Sequence, residues 1–318
     1  MFKNSKRMGP FIIMIAASLW AIDAIFRTQL TYTIPAASII FLEHLIGFIL
    51  LSPLFIKNFS EIKKLKIKEW ITFIVLTIVS SVAGGLLFTQ ALGASFAQKD
   101  FITPLLLIKL QPIFVIILSA LFLKEKITVK FCFFAVLALI GSYIMSFGLM
   151  PISFSLEGKM LVYILALSAT LCWGVGTILS KKVLSKVSFA TATTLRYGIA
   201  IPVAIIFMYT LGQTYNFAQL GFDQIWRFLV IAGVTGGAAA IFIYYWGLKN
   251  TQAKVSTIAE LIFPLISIII ATTNLNPYGA PQQLNSANIF GIIIVIASIL
   301  AISFDSAKKG INNDHKIN

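Results

Sequence analysis

The chain has 318 residues, 58% of them hydrophobic and only 11% charged, with a mean hydropathy of +0.93 and a formal net charge of +14. Soluble domains carry roughly 25% charged residues, so this composition excludes an ordinary water-soluble fold and points to an integral membrane protein with little mass outside the bilayer. The cations sit at the ends of apolar runs and not on a basic stripe with interleaved aromatics, which sets aside a nucleic-acid binder and makes the lipid bilayer the partner.

Ten apolar runs follow one another, near 9–29, 35–56, 70–92, 101–123, 131–149, 160–180, 189–211, 227–247, 255–275 and 288–304. Each is long enough to cross a hydrocarbon core of ~30 Å at ~1.5 Å per residue. The first follows Lys3, Lys6 and Arg7, but it is long, lacks a convincing cleavage site and precedes nine more, so it reads as a retained span. With the N-terminus in the cytoplasm, that face holds those three residues, then Lys57, Lys63, Lys64, Lys66 and Lys68, then Lys124, Lys126 and Lys130. It continues with Lys181, Lys182 and Lys186, then Lys249 and Lys254, then Lys308, Lys309 and Lys316. The opposite face has only Lys99, Lys159 and Arg227, an asymmetry that places both termini in the cytoplasm. Cys132 and Cys172 fall inside runs at no metal-ligand spacing and read as core thiols.

An internal repeat divides the chain into 1–150 and 151–318, near Pro151. One offset pairs Trp20-Ala21-Ile22-Asp23-Ala24-Ile25 with Trp173-Gly174-Val175-Gly176-Thr177-Ile178, and Leu42-Glu43-His44 with Leu195-Arg196-Tyr197. Further on, Ala91-Leu92 pairs with Gly247-Leu248, and Leu110-Gln111-Pro112-Ile113 with Ile262-Phe263-Pro264-Leu265, the spacing shifting by about one helical turn near 94–100. Five spans per half is an odd number, so the second half is inserted upside down. The expected fold is therefore all-α, ten transmembrane helices as two five-helix inverted repeats, with a site at their interface near the midplane.

Ser18-Leu19-Trp20-Ala21, the helices of Pro112 and Pro264, and Leu123-Lys124-Glu125-Lys126-Ile127-Thr128 followed by Gly141 are similar to the signatures of the EamA family of the drug/metabolite transporter superfamily. The resemblance covers nearly the whole chain. The second half departs from it at Asn274-Leu275-Asn276-Pro277-Tyr278-Gly279, which replaces the acidic signature. The resemblance implies a bacterial cytoplasmic-membrane permease for small metabolites, frequently an exporter, working without ATP hydrolysis.

Polar groups at membrane depth carry the chemistry, because a charge near the bilayer centre costs at least ~2.5–3.5 kcal/mol and must be paired or wet. Asp23 and Arg27 are four apart on the first helix, on the face of Trp20, and can pair along one wall to form or support an outer gate. Glu43 and His44 are adjacent and point about 100° apart, so one is expected to face the pathway and the other a neighbouring helix. Both exchange protons and are candidate carriers. Lys109, three residues before Pro112, is a cation beside an interrupted helix and suits an anionic group of a substrate; a salt bridge to Glu43, Asp23 or Glu260 is the competing assignment. Glu260 precedes Pro264 at nearly the counterpart position, making an acid–base coupling pair across the cavity. Arg196, the counterpart of Glu43, is a gate residue, a structural ion pair or a substrate ligand. Tyr244, Tyr245, Trp246, Trp173 and Tyr197 are aromatic candidates for the pathway, although anchoring is the commoner role of membrane aromatics.

No Gly-Lys-Ser/Thr loop, His-Glu-x-x-His, Gly-x-Ser-x-Gly or acidic metal pair occurs, so neither an ATP-driven pump nor an enzyme with a cofactor or metal is expected. The sequence reads as a secondary transporter moving a small polar metabolite, amphoteric or anionic, by alternating access, with protons as the candidate coupling ion and the oligomeric state open. The alternatives are an uncoupled facilitator and an intramembrane enzyme or assembly factor for a lipid-linked substrate; the long loops with reactive carboxylates that the last would need are missing.

Overall fold

A computed structural model of the chain describes residues 5–96, 102–149, 160–275, 281 and 283–314. Pro151, Lys99, Lys159 and the stretch 276–280, which entered the repeat, charge and family readings, lie outside the described residues.

All regular structure among the described residues is helical, as expected where lipid leaves no water to satisfy an open backbone. In chain order the helices are α1 (Ser5–Leu30), α2 (Ala36–Lys57), α3 (Phe59–Ile62), α4 (Ile67–Leu76), α5 (Gly84–Phe96), α6 (Ile102–Ile108), α7 (Gln111–Phe122) and α8 (Val129–Phe147). They continue with α9 (Met160–Leu184), α10 (Phe189–Thr210), α11 (Phe222–Val230), α12 (Ala238–Lys249), α13 (Ala253–Ala259), α14 (Ile262–Ala271) and α15 (Ser286–Asp314). Nine helical stretches among the described residues are long and apolar enough to cross a membrane. The tenth expected run, 101–123, is instead two short helices, α6 and α7, interrupted at Lys109 and Leu110.

Two of the spans change helical type midway. Thr77–Ala83 joins α4 to α5, and Ile231–Thr235 joins α11 towards α12, as π-helical segments. Two others are broken before a proline: α6 stops at Ile108 and α7 restarts at Gln111, while α13 stops at Ala259 and α14 restarts at Ile262. In α7 the proline occupies the first turn, where its missing N–H costs nothing. Lys109 and Glu260 are thus each the first residue of a two-residue break.

The principal packing partners join the two halves of the chain: α2 with α10, α1 with α12, α5 with α9, and α8 with α15. The last pair shows how little space separates them. A Cβ at Gly291 of α15 would strike the Met145 backbone of α8, so only glycine permits this approach, and Asn288 Nδ2 donates to the Met145 carbonyl at 3.2 Å beside it. The outward faces carry Val129, Phe133, Phe290, Ile293 and Phe304, all exposed and apolar, the surface that lipid covers. Cys132 is on such a face and not in the core, correcting the sequence reading; Cys172 is half-buried. The 3.6-residue period that would have separated the two faces is blurred when both lipid and core are apolar.

Candidate functional site

All eight residues singled out in the sequence, Trp20, Asp23, Arg27, Glu43, His44, Lys109, Arg196 and Glu260, line one cavity of about 180 Å³. It is walled by α1, α2, α9, α10 and α12, by the π-helical segment at 77–83, and by both helix breaks.

On one wall Arg27 bridges two carboxylates. Its Nε donates to Asp23 Oδ2 at 2.7 Å within α1, and its Nη2 reaches Glu43 Oε2 of α2 at 2.9 Å, all three side chains buried. Thr235 Oγ1, at the end of the second π-helical segment, donates to the other Asp23 oxygen at 3.3 Å. Gly236 follows directly, and a Cβ there would overlap the Asp23 carboxylate. Glu43 and His44 both line the cavity, contrary to the expectation that one would turn away. The cavity wraps around α2, so Glu43 faces α1 while the His44 ring lies 5.0 Å from the Tyr197 ring of α10 and its Nδ1 pairs with the Ile40 carbonyl at 2.8 Å.

Arg196 has no ion pair among the described residues. Its guanidinium donates to Ser81 Oγ at 2.5 Å, Ser80 Oγ at 3.0 Å and Tyr245 Oη at 2.9 Å. The two serines belong to the π-helical segment of the first half, just as Thr235, which serves Asp23, belongs to that of the second. Such segments are frequently found at functional sites because the shifted register re-aims side chains.

Lys109 and Glu260 do not meet. Lys109 Nζ donates to Ser146 Oγ of α8, and no acid lies within ion-pair distance of it among the described residues. Glu260 accepts from Tyr244 Oη at 2.9 Å and from Gln111 Nε2 at 3.0 Å. Each charge has taken neutral partners, so neither the proposed salt bridges of Lys109 nor a direct Lys109–Glu260 pair is formed. Formally, the lining balances Asp23, Glu43 and Glu260 against Arg27, Lys109 and Arg196.

Of the aromatic candidates, Tyr244, Trp173 and Tyr197 line the cavity. Tyr245 is fully buried behind it under Arg196, and Trp246 points outward, 37% exposed. Sequence reasoning missed Ser80, Ser81, Gln111, Ser146 and Thr235. Only the adjacent serines in an apolar run and the glutamine before Pro112 carried a local signal.

Comparison with known proteins agrees with this architecture. A solved crystal structure superposes with a TM-score of 0.72 at 14% identity, covering 96% of this chain and 98% of the other. The riboflavin transporter ImpX of Fusobacterium nucleatum is 32% identical over 298 residues, 93% of this chain and 97% of that protein. An uncharacterized transporter of Synechocystis is 26% identical, covering 76% of this chain and 68% of its own length, and the uncharacterized transporter YoaV of Bacillus subtilis 22%, covering 81% and 84%. The model of the EamA-like transporter family matches residues 7–147 and 160–304, and the chain, a multi-pass membrane transporter and not an enzyme, belongs to that family.

Proposed function

We propose that the chain is a secondary permease that carries an uncharged, polar, ring-bearing metabolite, riboflavin or a close flavin, by alternating access between two inverted five-span halves. The observation that supports it most is the formal balance of charge around the cavity: three acids and three bases leave no net charge for an anion to neutralise. A neutral solute with many hydrogen-bonding edges enters such a site without carrying counter-charge across the bilayer, whereas an anion would have to displace a partner from Lys109 or Arg196. The relative named as a riboflavin transporter supports a flavin as that solute. Residues 1–150 and 151–318 form the two halves, and the matching helix breaks at Lys109 and Glu260 and the matching π-helical segments support their kinship.

Among the acids, Glu260 is favoured over Glu43 as a proton carrier. Glu43 is committed to Arg27, while Glu260 holds only neutral donors, so a proton can come and go there without breaking an ion pair. Asp23 and Arg27 support the gate on the side opposite the basic loops. Purified protein in liposomes loaded with unlabelled riboflavin and given a trace of isotope-labelled external riboflavin tests the reading through the label taken up. Counterflow that requires the protein is expected; its absence for riboflavin at any imposed pH gradient would overturn the assignment. Glu260→Gln should keep counterflow and lose accumulation driven by the gradient, and unchanged accumulation would make the protein a facilitator or assign coupling to another ion.

A further inference from the structure

The cavity holds two aromatic pairs of nearly the same geometry. Trp20 of α1 packs on Tyr244 of α12 with ring centroids 5.0 Å apart and planes inclined by 54°. Trp173 of α9 packs on Phe88 of α5 at 5.2 Å and 61°. All four residues line the cavity. Trp20 and Trp173 are matched by the internal repeat, and so are Phe88 and Tyr244, each three residues before the Ala91 and Gly247 anchors. Each half thus lends the tryptophan of its first span to an aromatic partner on the third span of the other.

The two pairs differ in their hydrogen bonds. Trp173 Nε1 donates to the Ser80 carbonyl of the π-helical segment at 3.1 Å, which fixes that indole. Trp20 is half-buried against the cavity, and its Nε1 has no protein acceptor among the described residues. That indole N–H opens onto the cavity, where an acceptor on a solute can meet it. Tyr244 Oη is already committed to Glu260 and does not compete for that role.

We propose that these pairs are the ring-reading walls of the cavity, Trp173 being a fixed stacking surface and Trp20 the residue that donates to a carbonyl or ring-nitrogen acceptor on a planar heteroaromatic solute. The inference rests on the transport reading above and adds which part of the solute is recognised and by which atoms. A flat ring offers its face to the aromatic walls and its edge to Trp20 Nε1; an open polyol chain offers neither.

The test is binding to the purified full chain in lipid nanodiscs, followed by flavin fluorescence anisotropy with riboflavin, lumichrome (the tricyclic ring without the polyol chain) and ribitol (the chain without the ring). Lumichrome is expected to compete with riboflavin and ribitol to have no effect. Trp20→Phe, which keeps a ring but loses the donor, should weaken both riboflavin and lumichrome about tenfold, the value of one well-made hydrogen bond. Trp173→Leu, which removes the stacking surface, should also weaken both riboflavin and lumichrome, and thermal unfolding of both variants separates lost recognition from lost folding. Wild-type affinity in a folded Trp20→Phe, or competition by ribitol and not by lumichrome, would overturn the proposal. If lumichrome binds, with the expected loss in Trp20→Phe, while liposomes show no riboflavin counterflow, the ring site stands and the flavin-transport assignment falls.

Discussion

At the residue scale, one guanidinium holding two buried carboxylates is the most constrained feature of the cavity. Removing Arg27 leaves Asp23 and Glu43 without a cation in low dielectric, and breaking such a cluster costs about 3–5 kcal/mol. Arg27→Gln is therefore expected to lower the unfolding temperature in detergent sharply, and Arg27→Gln with Glu43→Gln to recover part of the loss. Strict additivity in that double-mutant cycle would show that the pair is not coupled. Lys109 behaves differently, because its only partner among the described residues is the Ser146 hydroxyl. Lys109→Ala should fold at near-normal levels yet fail to transport, and Lys109→Arg should rescue poorly, since a planar fork does not replace a compact ammonium. Full transport by Lys109→Ala would remove it from the site. The sequence pointed to side chains that line the cavity, because a charge inside an apolar run is conspicuous. It did not show their partners: whether Arg196 meets an acid or three hydroxyls depends on how α10 is rotated against the segment at 77–83, and rotation is a tertiary property.

At the scale of elements, the breaks and π-helical segments are what place these groups. Pro112 and Pro264 signalled their interruptions in the sequence. Thr77–Ala83 and Ile231–Thr235 did not, because a register change in an apolar helix leaves no composition of its own. Gly236 tests the second segment. A Cβ there meets the Asp23 carboxylate and the Arg27 guanidinium, whereas one at Gly233 meets only the flexible tip of Leu50 at 3.2 Å. Gly236→Ala is expected to reduce riboflavin counterflow severalfold and Gly233→Ala to be near neutral; equal effects would mean that the close approach at Asp23 is unimportant. The family motif also acquires a physical role. Glu125 accepts from the N–H groups of Ala253 and Lys254 at 2.7 and 3.0 Å, closing the start of α13, and Thr128 caps α8. Glu61 in α3 does the same for α10, accepting from Ser188 N at 2.7 Å and Thr191 Oγ1 at 2.9 Å. Partial burial works against its charged form, but those donors outweigh it and hold the carboxyl below its usual range. A depressed acid stabilises the fold above its unfolded pKa and loses that contribution as pH falls through the folded value. Hydrogen exchange at residues 188–192 is therefore expected to be slow at neutral pH and to accelerate, after correction for intrinsic rates, only below about pH 4; Glu61→Gln should accelerate it at neutral pH.

At the scale of the whole molecule, hydropathy and charge made most spans legible, with ends off by a few residues because lipid-facing and core residues are equally apolar. The run at 101–123 is divided at Lys109 and Leu110, as 255–275 is at Glu260 and Leu261. The proposed inversion has a sharp topological consequence. Lys64 lies between the second and third spans of the first half, and Thr214 between the second and third of the second half; both are exposed. A parallel repeat puts these equivalent loops on the same side, whereas an inverted one puts them on opposite sides. In the orientation we propose, the loops of Lys64 and Ser185, flanked by basic residues, lie in the cytoplasm and the loop of Thr214 outside. In a variant lacking Cys132 and Cys172, single cysteines at these three positions can be treated on intact cells with an impermeant maleimide. Removing Cys132 matters because that thiol is exposed at the protein surface. Thr214→Cys is expected to react at once, and Lys64→Cys and Ser185→Cys only after the membrane is opened. Labelling of Lys64→Cys together with Thr214→Cys from outside would rule out inversion, and labelling of Lys64→Cys and Ser185→Cys without Thr214→Cys would preserve inversion and reverse the orientation.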